Sequence, residues 1–432
     1  MNLDNFSRPR AALHNLGCKV NAYETEAMRE ILEAEGYTIV DFNEQADVYV
    51  VNTCTVTNIA DRKSRQMLHR ARKLNPDAIV VATGCYVQTS DLAGKSDDAI
   101  DIYIGTNEKS RIAEAIDEYR KKREQVRYIS DMTHEGTYEA MKVRVSEGHA
   151  RAFIKVQDGC NQFCSYCIIP FARGRIRSAA IDDVVSEITE LSARGFKEVV
   201  LTGIHLTSYS DDGRGLLELI CAIDKIDGIE RIRLGSLEPG WISENVAQTL
   251  SSLDSFCPHF HLSLQSGSAG VLSRMNRKYT PDEFMEKCNI LRRYFDDPAL
   301  TTDIIVGFPG ETEEEFSETL EFVRAVRFYE VHVFKYSMRQ GTAAAARKDQ
   351  IPDDIKTRRS HKLMELAAGL KADFEKSRSS LEVLIEEYTD GCYKGHSREY
   401  IEVTIPADAT VTDMAGRPLA ADQIKIGEIY RV

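Results

Sequence analysis

Residues 156–168 read Val-Gln-Asp-Gly-Cys-Asn-Gln-Phe-Cys-Ser-Tyr-Cys-Ile, and they set Cys160, Cys164 and Cys167 in a C-x3-C-x2-C pattern. An apolar run typical of a strand, Ala152–Val156, comes directly before the pattern. Three thiolates on one short loop can hold three irons of a [4Fe–4S] cube and leave the fourth iron without a protein ligand. The pattern therefore predicts an iron–sulfur centre with one open iron at the end of a strand.

A structural zinc site is the simpler interpretation of clustered cysteines, and buried cysteines without any ligand are another. Zinc takes four ligands in a closed tetrahedron, usually from two cysteine pairs or from a cysteine pair and a histidine pair. No fourth ligand lies close by, and the next histidine along the chain is His205. The spacing therefore favours the cluster over both alternatives.

Composition and charge limit the classes of protein. The 432 residues predict two to four domains, and 28% charged with 43% hydrophobic residues is ordinary for a globular protein. We expect a reducing compartment, the cytoplasm, and no membrane segment, because the ten cysteines do not form a secreted disulfide pattern and no long apolar run occurs. A net charge of −13 argues against indiscriminate binding of nucleic acid but permits a local basic face.

Residues 1–108 alternate between strand and helix patterns. Strands are predicted at Ala11–Leu16, Asp47–Asn52 and Ala78–Ala82, with helices at Glu24–Glu35 and Asn58–Leu74 between them. This order is typical of a parallel sheet in an α/β fold.

A cysteine follows each of these strands, at Cys18, Cys54 and Cys85. Because the carboxyl ends of parallel strands lie along one edge, the three thiols are expected to converge. One such cysteine would be read as a buried core residue, but three at the same edge predict a second site, for which a three-cysteine cluster again fits best.

Strand and helix patterns alternate again from Arg151 to about residue 370, after a helix with a charged run near Tyr119 and a polar connection. Six strand–helix repeats predict a complete or partial barrel, whose sites lie at the carboxyl ends of the strands. Strands are predicted at Ala152–Val156, Glu198–Thr202, Arg231–Gly235, His259–Leu264, Thr302–Val306 and Glu330–Tyr336. Candidate cofactor contacts follow them at Gly203, His205, Ser236, Glu238, Gln265, Gly307 and Gly310.

The chain resembles the radical S-adenosylmethionine methylthiotransferases over essentially its whole length. The matching stretches are the radical triad with Tyr166, Leu16-Gly-Cys18-Lys-Val-Asn21, Asn52-Thr-Cys54, Thr83-Gly-Cys85 and Phe334-Lys-Tyr-Ser-Met-Arg-Gln-Gly-Thr-Ala343. The resemblance implies an N-terminal cluster domain with an open parallel sheet at 1–145, a central TIM-like radical barrel at 146–372 and a small all-β TRAM barrel at 373–432. Short strand patterns after Leu381 agree with that last domain.

The family's chemistry is implied by the same resemblance. Two [4Fe–4S] clusters and two molecules of S-adenosylmethionine would replace the hydrogen at carbon 2 of an adenine by a methylthio group through a radical. Cys160, Cys164 and Cys167 would hold the radical cluster, and Cys18, Cys54 and Cys85 the cluster that carries the sulfur. An external electron donor is required, and the sulfur source is unknown.

Within the family, Gly17–Glu26 and Ala60–Arg65 most resemble the branch that acts on N6-threonylcarbamoyladenosine at position 37 of tRNA. The tRNA would meet a basic helix, Asn58–Leu74, and a second basic stretch after the radical triad. The threonylcarbamoyl carboxylate requires a cation or several donors, and the second stretch is nearest in sequence. The candidate substrate contacts are Arg62, Lys63, Arg65, Arg70 and Arg72 on the helix, and Arg173, Arg175 and Arg177 after the triad.

Three alternatives remain open. Residues 381–432 hold ten acidic residues against five Lys and Arg, which suits a basic protein partner such as ribosomal protein S12 better than RNA. The isopentenyladenosine branch of the family is the second alternative. A non-catalytic iron–sulfur or zinc protein that binds RNA is the third, and metal content with cofactor cleavage would distinguish it.

Overall fold

The computed structural model describes residues 8–92, 94, 96–132, 136–143, 150–420 and 423–432. The chain divides into two compact units. The first unit contains the described residues up to 143 together with 157–163 and 167–179. The second contains the described residues of 146–156 together with 164–166 and 180–432. The expected domain boundary between residues 145 and 146 lies outside the described residues.

The elements up to residue 178 are β1 (Arg10–Asn15), α1 (Lys19–Ala34), β2 (Thr38–Ile39), β3 (Val48–Thr53), α2 (Asn58–Leu74), β4 (Ile79–Gly84), α3 (Cys85–Leu92), β5 (Ile102–Ile104), α4 (Ile112–Lys122), β6 (Val126–Tyr128), β7 (Arg151–Lys155), β8 (Gln157–Asp158), α5 (Ile169–Arg173) and β9 (Arg177–Ser178).

The elements that follow are α6 (Ile181–Ser192), β10 (Glu198–Thr202), β11 (Ser210–Asp211), β12 (Arg214–Gly215), α7 (Leu216–Ile223), β13 (Arg231–Leu234), α8 (Glu244–Ser251), β14 (His259–His261), α9 (Ala269–Arg274), α10 (Pro281–Tyr294), β15 (Ala299–Val306), α11 (Glu313–Val326), β16 (Glu330–Lys335), α12 (Asp353–Lys376), β17 (Glu382–Thr389), β18 (Cys392–Ser397), β19 (Glu402–Pro406), β20 (Val411–Thr412), β21 (Pro418–Leu419) and β22 (Ile429–Arg431). Among the described residues, no helix combines the length and the apolar character needed to cross a membrane.

A parallel sheet of six strands, in the order β2-β1-β3-β4-β5-β6, forms the core of the first unit. Every residue of β3 and β4 is buried, as expected for central strands covered on both faces. One apolar cluster packs on each face of the sheet, one with Met28 and Ile112, the other with Leu68 and Ala71. The predicted parallel sheet is confirmed.

Helix α1 begins five residues earlier than predicted, at Lys19 instead of Glu24. Cys18 is the extended N-cap residue and has no side-chain capping bond. Val20 and Tyr23 in the first turn are buried. Packing of this turn therefore fixes the helix start, which explains why no capping signal marks it in the sequence.

The second unit holds the six parallel strands that the repeats predicted. They form two three-stranded sheets, β13-β10-β7 and β14-β15-β16, which isolated bridges at Ile232–Phe256 and Leu237–Leu262 join. The fourth predicted strand, His259–Leu264, is shorter than expected and ends at His261. Gln265 has a φ of +69°, so the chain turns out of the extended conformation at the edge where sites were expected.

The C-terminal residues form an antiparallel sheet of six strands, in the order β19-β18-β17-β22-β20-β21. Strand β18 was not predicted, because its sequence lacks an alternating apolar pattern. Asp390 and Gly391 both have positive φ, at +52° and +77°, between the paired Thr389 and Cys392. An Asp-Gly pair of this kind is a strong signal for a two-residue hairpin, and it could have located β18.

Two buried arginines of β13 attach the C-terminal sheet to the central strands. The guanidinium groups of Arg231 and Arg233 donate hydrogen bonds of 2.8–3.1 Å to main-chain carbonyl oxygens of the sheet. The accepting carbonyls belong to Glu382, His396, Ser397 and Arg398. Glu198 balances Arg233 through a 3.0 Å bond from Nε. Buried charges are tolerated here because they are paired and hydrogen-bonded.

Gly395 of β18 leaves no room for a side chain. A Cβ there would lie 1.9 Å from the carbonyl oxygen of Leu384 on β17. We expect Gly395→Ala to lower the free energy of unfolding by about 2 kcal/mol. Gly369 on α12 is the control, since a Cβ added there would meet no atom within 4 Å and Ala favours a helix. Thermal denaturation should show a lower Tm for G395A and an equal or higher Tm for G369A; equal loss in both would contradict the packing argument.

Candidate functional site

Cys18, Cys54 and Cys85 lie at the carboxyl ends of β1, β3 and β4, which are neighbours in the sheet of the first unit. The strand register places the three strand ends level with one another, because Asn15 pairs with Asn52 and Thr53 pairs with Gly84. Burial raises the pKa of Cys54 and of Cys85, and the neighbouring thiols add to this: Cys18 and Cys85 raise the pKa of Cys54, and Cys18 raises that of Cys85. The convergence expected from parallel topology is therefore present in the structure.

Two glycines with positive φ bring these strand ends together. A Cβ on Gly17 (φ +130°) would lie 3.1 Å from Cβ and 3.3 Å from Sγ of Cys54. A Cβ on Gly84 (φ +96°) would lie 2.7 Å from the carbonyl oxygen of Thr53. Only glycine permits this backbone and this close approach beside the thiols.

The thiols are buried to different degrees. Burial raises the pKa of Cys54 to about 11, and burial also raises the pKa of Cys85, against which the positive charge of Arg173 acts. Cys18 precedes α1 and Cys85 begins α3, so both lie where helix N–H groups favour negative charge. Metal binding to such thiols must release protons, because the thiolate is the ligand.

Arg173 is fully buried and donates from Nε to Sγ of Cys85 at 3.3 Å. Its remaining donors bond Glu24 at 2.9 Å, Asp158 at 3.1 Å and Asn21 at 2.6 Å. Burial alone would lower the pKa of this guanidinium, but Asp158, Cys85 and Glu24 raise it well above its usual range. Arg173 is therefore a permanent cation beside the thiol of Cys85.

This position corrects the expectation that the basic stretch 173–177 contacts a substrate carboxylate. Arg173 has no exposed surface, and Arg177 is buried with Nη1 donating to the carbonyl oxygens of Arg173 and Arg175 at 3.0 and 2.8 Å. Both side chains hold the loop that carries them. Of the three, Arg175 alone is partly exposed, and its guanidinium lies 4.9 Å from the ring centre of Phe163.

The donor set of the first unit fits an iron–sulfur cluster better than a single ion. Zinc with thiolates at ~2.3 Å would draw its ligands within about 4 Å of one another. Among the residues that the structure describes, Cys18, Cys54 and Cys85 do not form a group with all ligand atoms within 4.8 Å. Three separated thiols, helix N-termini and a buried cation suit a larger anionic cluster.

Helix α2 has the predicted bounds and presents much of its positive charge outward. Arg62, Lys63, Arg65 and Arg70 are exposed, whereas Ser64, Leu68 and Ala71 face the core. Ser64 donates to the carbonyl oxygen of Cys54 at 3.1 Å, so the helix also positions this cysteine.

Arg72 departs from the rest of the helix. It is half-buried and bonds the carbonyl oxygens of Pro76, Ala78 and Ala99 and the carboxylate of Asp101. These bonds occupy its donors within the fold, so the expectation that Arg72 contacts phosphate is not supported.

The cysteines of the triad at 160–167 are divided between the two units, with Cys160 and Cys167 in the first and Cys164 in the second. In the first unit, Cys160 is buried and its N–H donates to the carbonyl oxygen of Gly174 at 3.0 Å, and Cys167 is half-buried. In the second unit, Ser165 bonds Met275 and Ala344 through its main chain, at 3.0 and 2.8 Å. Cys164 is half-buried there and accepts a bond from Nη1 of Arg277 at 3.3 Å.

Arg277 connects Cys164 to the carboxyl end of β13. Its Nη2 donates to both carboxylate oxygens of Glu238, at 2.7 and 2.8 Å, and its Nε donates to the hydroxyl of Tyr279 at 3.0 Å. Burial would lower the pKa of this guanidinium, but Tyr279, Tyr166 and Glu238 raise it beyond its usual range. Arg277 thus stays charged beside a thiol, as Arg173 does in the first unit.

The predicted contacts His205 and Glu238 lie near each other, with Nε2 of His205 4.0 Å from the carboxylate. Burial lowers the pKa of His205, although Glu238 opposes this. A neutral imidazole at physiological pH follows, which can donate or accept a hydrogen bond at a cofactor.

The remaining predicted contacts follow the strands of the second unit and differ in exposure. Ser236 is exposed, Gly203 is half-buried, and Gln265 is buried with its N–H bonded to the carbonyl oxygen of Asp303. Gly307 and Gly310 have φ of +70° and +76°. A Cβ on Gly307 would lie 2.3 Å from Cγ of Lys356, and the N–H of Gly307 bonds Glu311 at 2.6 Å. The two glycines therefore shape the turn itself.

Arg277, Tyr279 and Asn21 were missed as site residues. Arg277 lies far from Cys164 in sequence, and no local spacing connects them. Asn21 bonds the carbonyl oxygens of Leu16 and Thr53, both at 3.0 Å, and so ties two of the cysteine-bearing strand ends together. Its place in Leu16-Gly-Cys-Lys-Val-Asn21 was the one available signal.

Two family models match the chain. The model described as Radical SAM superfamily matches residues 154–323, and the model described as Uncharacterized protein family UPF0004 matches residues 10–105. The first match begins within β7 and ends within α11, and the second covers β1 to β5, which include the strands that precede Cys18, Cys54 and Cys85.

Curated relatives match nearly the whole chain. A Bacillus subtilis protein named threonylcarbamoyladenosine tRNA methylthiotransferase MtaB is 40% identical, over 97% of this chain and 94% of the relative. A Thermotoga maritima protein of the same name is 37% identical, over 90% of each. An Acetivibrio thermocellus protein named tRNA-2-methylthio-N(6)-dimethylallyladenosine synthase is 34% identical, over 92% of this chain and 86% of the relative.

The solved structure of the radical S-adenosylmethionine methyltransferase TsrM from Kitasatospora setae is similar in fold, with a TM-score of 0.56, 19% identity and coverage of 78% of this chain and 77% of that one. The match to the Radical SAM superfamily model defines a radical S-adenosylmethionine protein. Within that superfamily, the chain belongs to the methylthiotransferase family.

Replacing Arg173 by Met should destabilise the first unit strongly. The change leaves the fully buried Glu24 and Asp158 without one of their cations, and breaking a buried pair from one side costs about 3–5 kcal/mol. Arg70→Met on exposed α2 is the matched control and should shift stability by less than about 0.5 kcal/mol. Chemical denaturation of both variants measures the difference; equal stability of R173M and wild type would contradict the buried-charge argument.

Proposed function

We propose that the chain methylthiolates carbon 2 of N6-threonylcarbamoyladenosine at position 37 of tRNA. The observation that carries this proposal is the likeness over nearly the full length to relatives named for that activity, at 37–40% identity. Two separate cysteine sets support it, since one radical step and one sulfur-transfer step each require a cluster.

The cofactors are two [4Fe–4S] clusters and S-adenosylmethionine, which when bound supply the radical that removes the C2 hydrogen and the methylthio group that replaces it. Cys160, Cys164 and Cys167 hold one cluster, and Cys18, Cys54 and Cys85 hold the other. An electron donor outside the chain reduces the protein.

The chain's own residues position and shield these groups. Arg277 orients Cys164 and Glu238 because it donates hydrogen bonds to both, and its positive charge stabilises their anionic forms. Arg173 does the same for Cys85. Tyr166, Gly203, His205, Ser236, Glu238, Gln265, Gly307 and Gly310 are the proposed contacts to S-adenosylmethionine. A permanent cation beside each set favours the thiolate form of the ligand.

The proposed domains are a cluster domain at 1–145, a radical domain at 146–372 that forms a partial barrel, and a TRAM domain at 373–432. The antiparallel sheet from β17 to β22 supports the last of these.

The tRNA meets α2 through its exposed cations. Arg62, Lys63, Arg65 and Arg70 are available to phosphate groups, and the helix begins four residues after Cys54. Arg175 is a further, partly exposed cation in the same unit. A local basic face of this kind binds RNA despite the net charge of −13, because contacts to phosphate act at short range in salt.

The activity is tested with a synthetic anticodon stem-loop that carries threonylcarbamoyladenosine, using the anaerobically reconstituted protein, a reductant and S-adenosylmethionine. We expect mass spectrometry to detect the methylthio product from this RNA, and little from unmodified or isopentenylated stem-loops. Methylthiolation of ribosomal protein S12 with the RNA untouched would overturn the proposal.

Cysteine variants serve as controls in the same assay. Wild-type protein should contain about eight irons, and either triple Cys→Ala variant about four. Loss of Cys160, Cys164 and Cys167 should abolish cleavage of S-adenosylmethionine. Loss of Cys18, Cys54 and Cys85 should abolish methylthiolation and leave cleavage. A protein that holds zinc only would be the non-catalytic alternative.

Replacing Arg62, Arg65 and Arg70 by Gln should weaken tRNA binding and flatten its salt dependence. Each lost phosphate contact lowers the log–log slope by about one unit. Filter binding or fluorescence anisotropy between low and physiological salt measures both quantities.

The matched control removes three exposed cations from α4 of the same unit, Arg120, Lys121 and Lys122. This variant has the same change in net charge and should retain the wild-type slope. An identical effect of both triple variants would mean that only total charge matters and that α2 is not a specific contact.

A further inference from the structure

Three polar side chains of the second unit lie close together on the neighbouring strands β14, β15 and β16. His261 of β14, Asp303 of β15 and His332 of β16 place their ligand atoms within 4.8 Å of one another, the one such group of three among the described residues. Asp303 and His332 are paired in register on neighbouring strands. This His261–Asp303–His332 group has no role in the activity derived so far.

The group lies on the open face of its sheet. Along β15 the alternate residues Leu300, Ile304 and Val306 are fully buried. Asp303 and His332 point to the other face, where their side chains are 30% and 47% exposed, and His261 is 12% exposed. Exposure thus increases from β14 to β16, so the group is accessible to a ligand.

Its hydrogen-bonding capacity is only partly used within the fold. Nδ1 of His261 is bonded to Thr301 at 3.0 Å, which fixes the ring, while Nε2 lies 3.3 Å from Asp303 without a well-aligned hydrogen bond. Nε2 of His332 lies 3.9 Å from Glu330. Two rings and one carboxylate therefore offer both donors and acceptors at one place.

The same face of the sheet continues toward Tyr166 and Cys164. Ile305, the next residue after Asp303 on that face of β15, packs in the cluster that contains Tyr166. Ser263, two residues after His261, accepts a 3.1 Å bond from Arg277, which also bonds Cys164. Two residues of extended chain span about 7 Å, a distance that an adenine with an N6 substituent can bridge.

We propose that His261, Asp303 and His332 bind the polar N6 substituent of the substrate base. This inference rests on the proposed function. The amide N–H and hydroxyl groups of a threonylcarbamoyl substituent can donate to the Asp303 carboxylate, and the ring N–H groups of His261 and His332 are the donors for its carbonyl and carboxylate oxygens. An isopentenyl group has no polar atom and would leave these side chains desolvated without partners, so the group selects between the two substrates.

A single metal ion is the competing occupant. The rings of His261 and His332 are stacked, 24° from parallel with centres 5.7 Å apart, so the two rings face each other. Ligands of one zinc ion at ~2.1 Å instead point their lone pairs at a common centre. The stacking therefore favours an extended polar ligand over an ion.

The test compares wild type, His332→Ala and Asp303→Asn on stem-loops carrying threonylcarbamoyladenosine or isopentenyladenosine. His361→Ala, which removes an exposed histidine from α12, is the control. We expect both site variants to raise KM for the threonylcarbamoyl substrate by about tenfold, with kcat and RNA-independent cleavage of S-adenosylmethionine unchanged. The control should behave as wild type.

The outcomes separate the two proposals. If the wild-type protein modifies the threonylcarbamoyl stem-loop and both site variants have the wild-type KM, this inference is wrong and the proposed function stands. Wild type that leaves the threonylcarbamoyl stem-loop unmodified overturns the proposed function and this inference with it. Stoichiometric zinc in wild type that is lost in H332A, measured by mass spectrometry of the metals, overturns the inference in favour of an ion.

Discussion

Burying Glu24 and Asp158 in the core of the first unit requires cations at the same place, and Arg173 with Lys109 provides them. The rest of the cluster site depends on this ion network. Arg173 reaches Cys85 and Asn21 from it, and Asn21 in turn ties together the ends of β1 and β3. The positive charge of Arg173 therefore both stabilises the buried carboxylates and lies beside the thiol of Cys85.

The second unit also places an arginine with a buried side chain beside a cysteine of the radical triad, using different residues. Arg277 joins Cys164 to Glu238 and is held by Tyr279. In both units an arginine that keeps its proton at any physiological pH stands at hydrogen-bond distance from a cysteine sulfur. An anionic cluster needs such compensation once water is removed from it.

Much of this arrangement could be predicted from the sequence, because it follows from topology. Parallel strands bring their carboxyl ends to one edge, so Cys18, Cys54 and Cys85 could be expected to meet. Helix α2 was predicted from its helical pattern with its observed bounds, and in the structure Thr57 is its N-cap and Asn75 its C-cap. Burial of single arginines could not be predicted: Arg173 and Arg175 are two residues apart, yet the first is enclosed and the second is partly exposed. Arg277 was missed because only the folded chain brings it to Cys164.

The attachment of the C-terminal sheet has a consequence for how members of such a family diverge. Arg231 and Arg233 contact main-chain oxygens of that sheet, which every amino acid presents alike. These bonds are therefore independent of the exposed side chains on β17, such as Glu387 and Tyr388, which can change without weakening the attachment. The surface charge of the sheet can therefore change without disturbing the hydrogen bonds that attach it to the central strands.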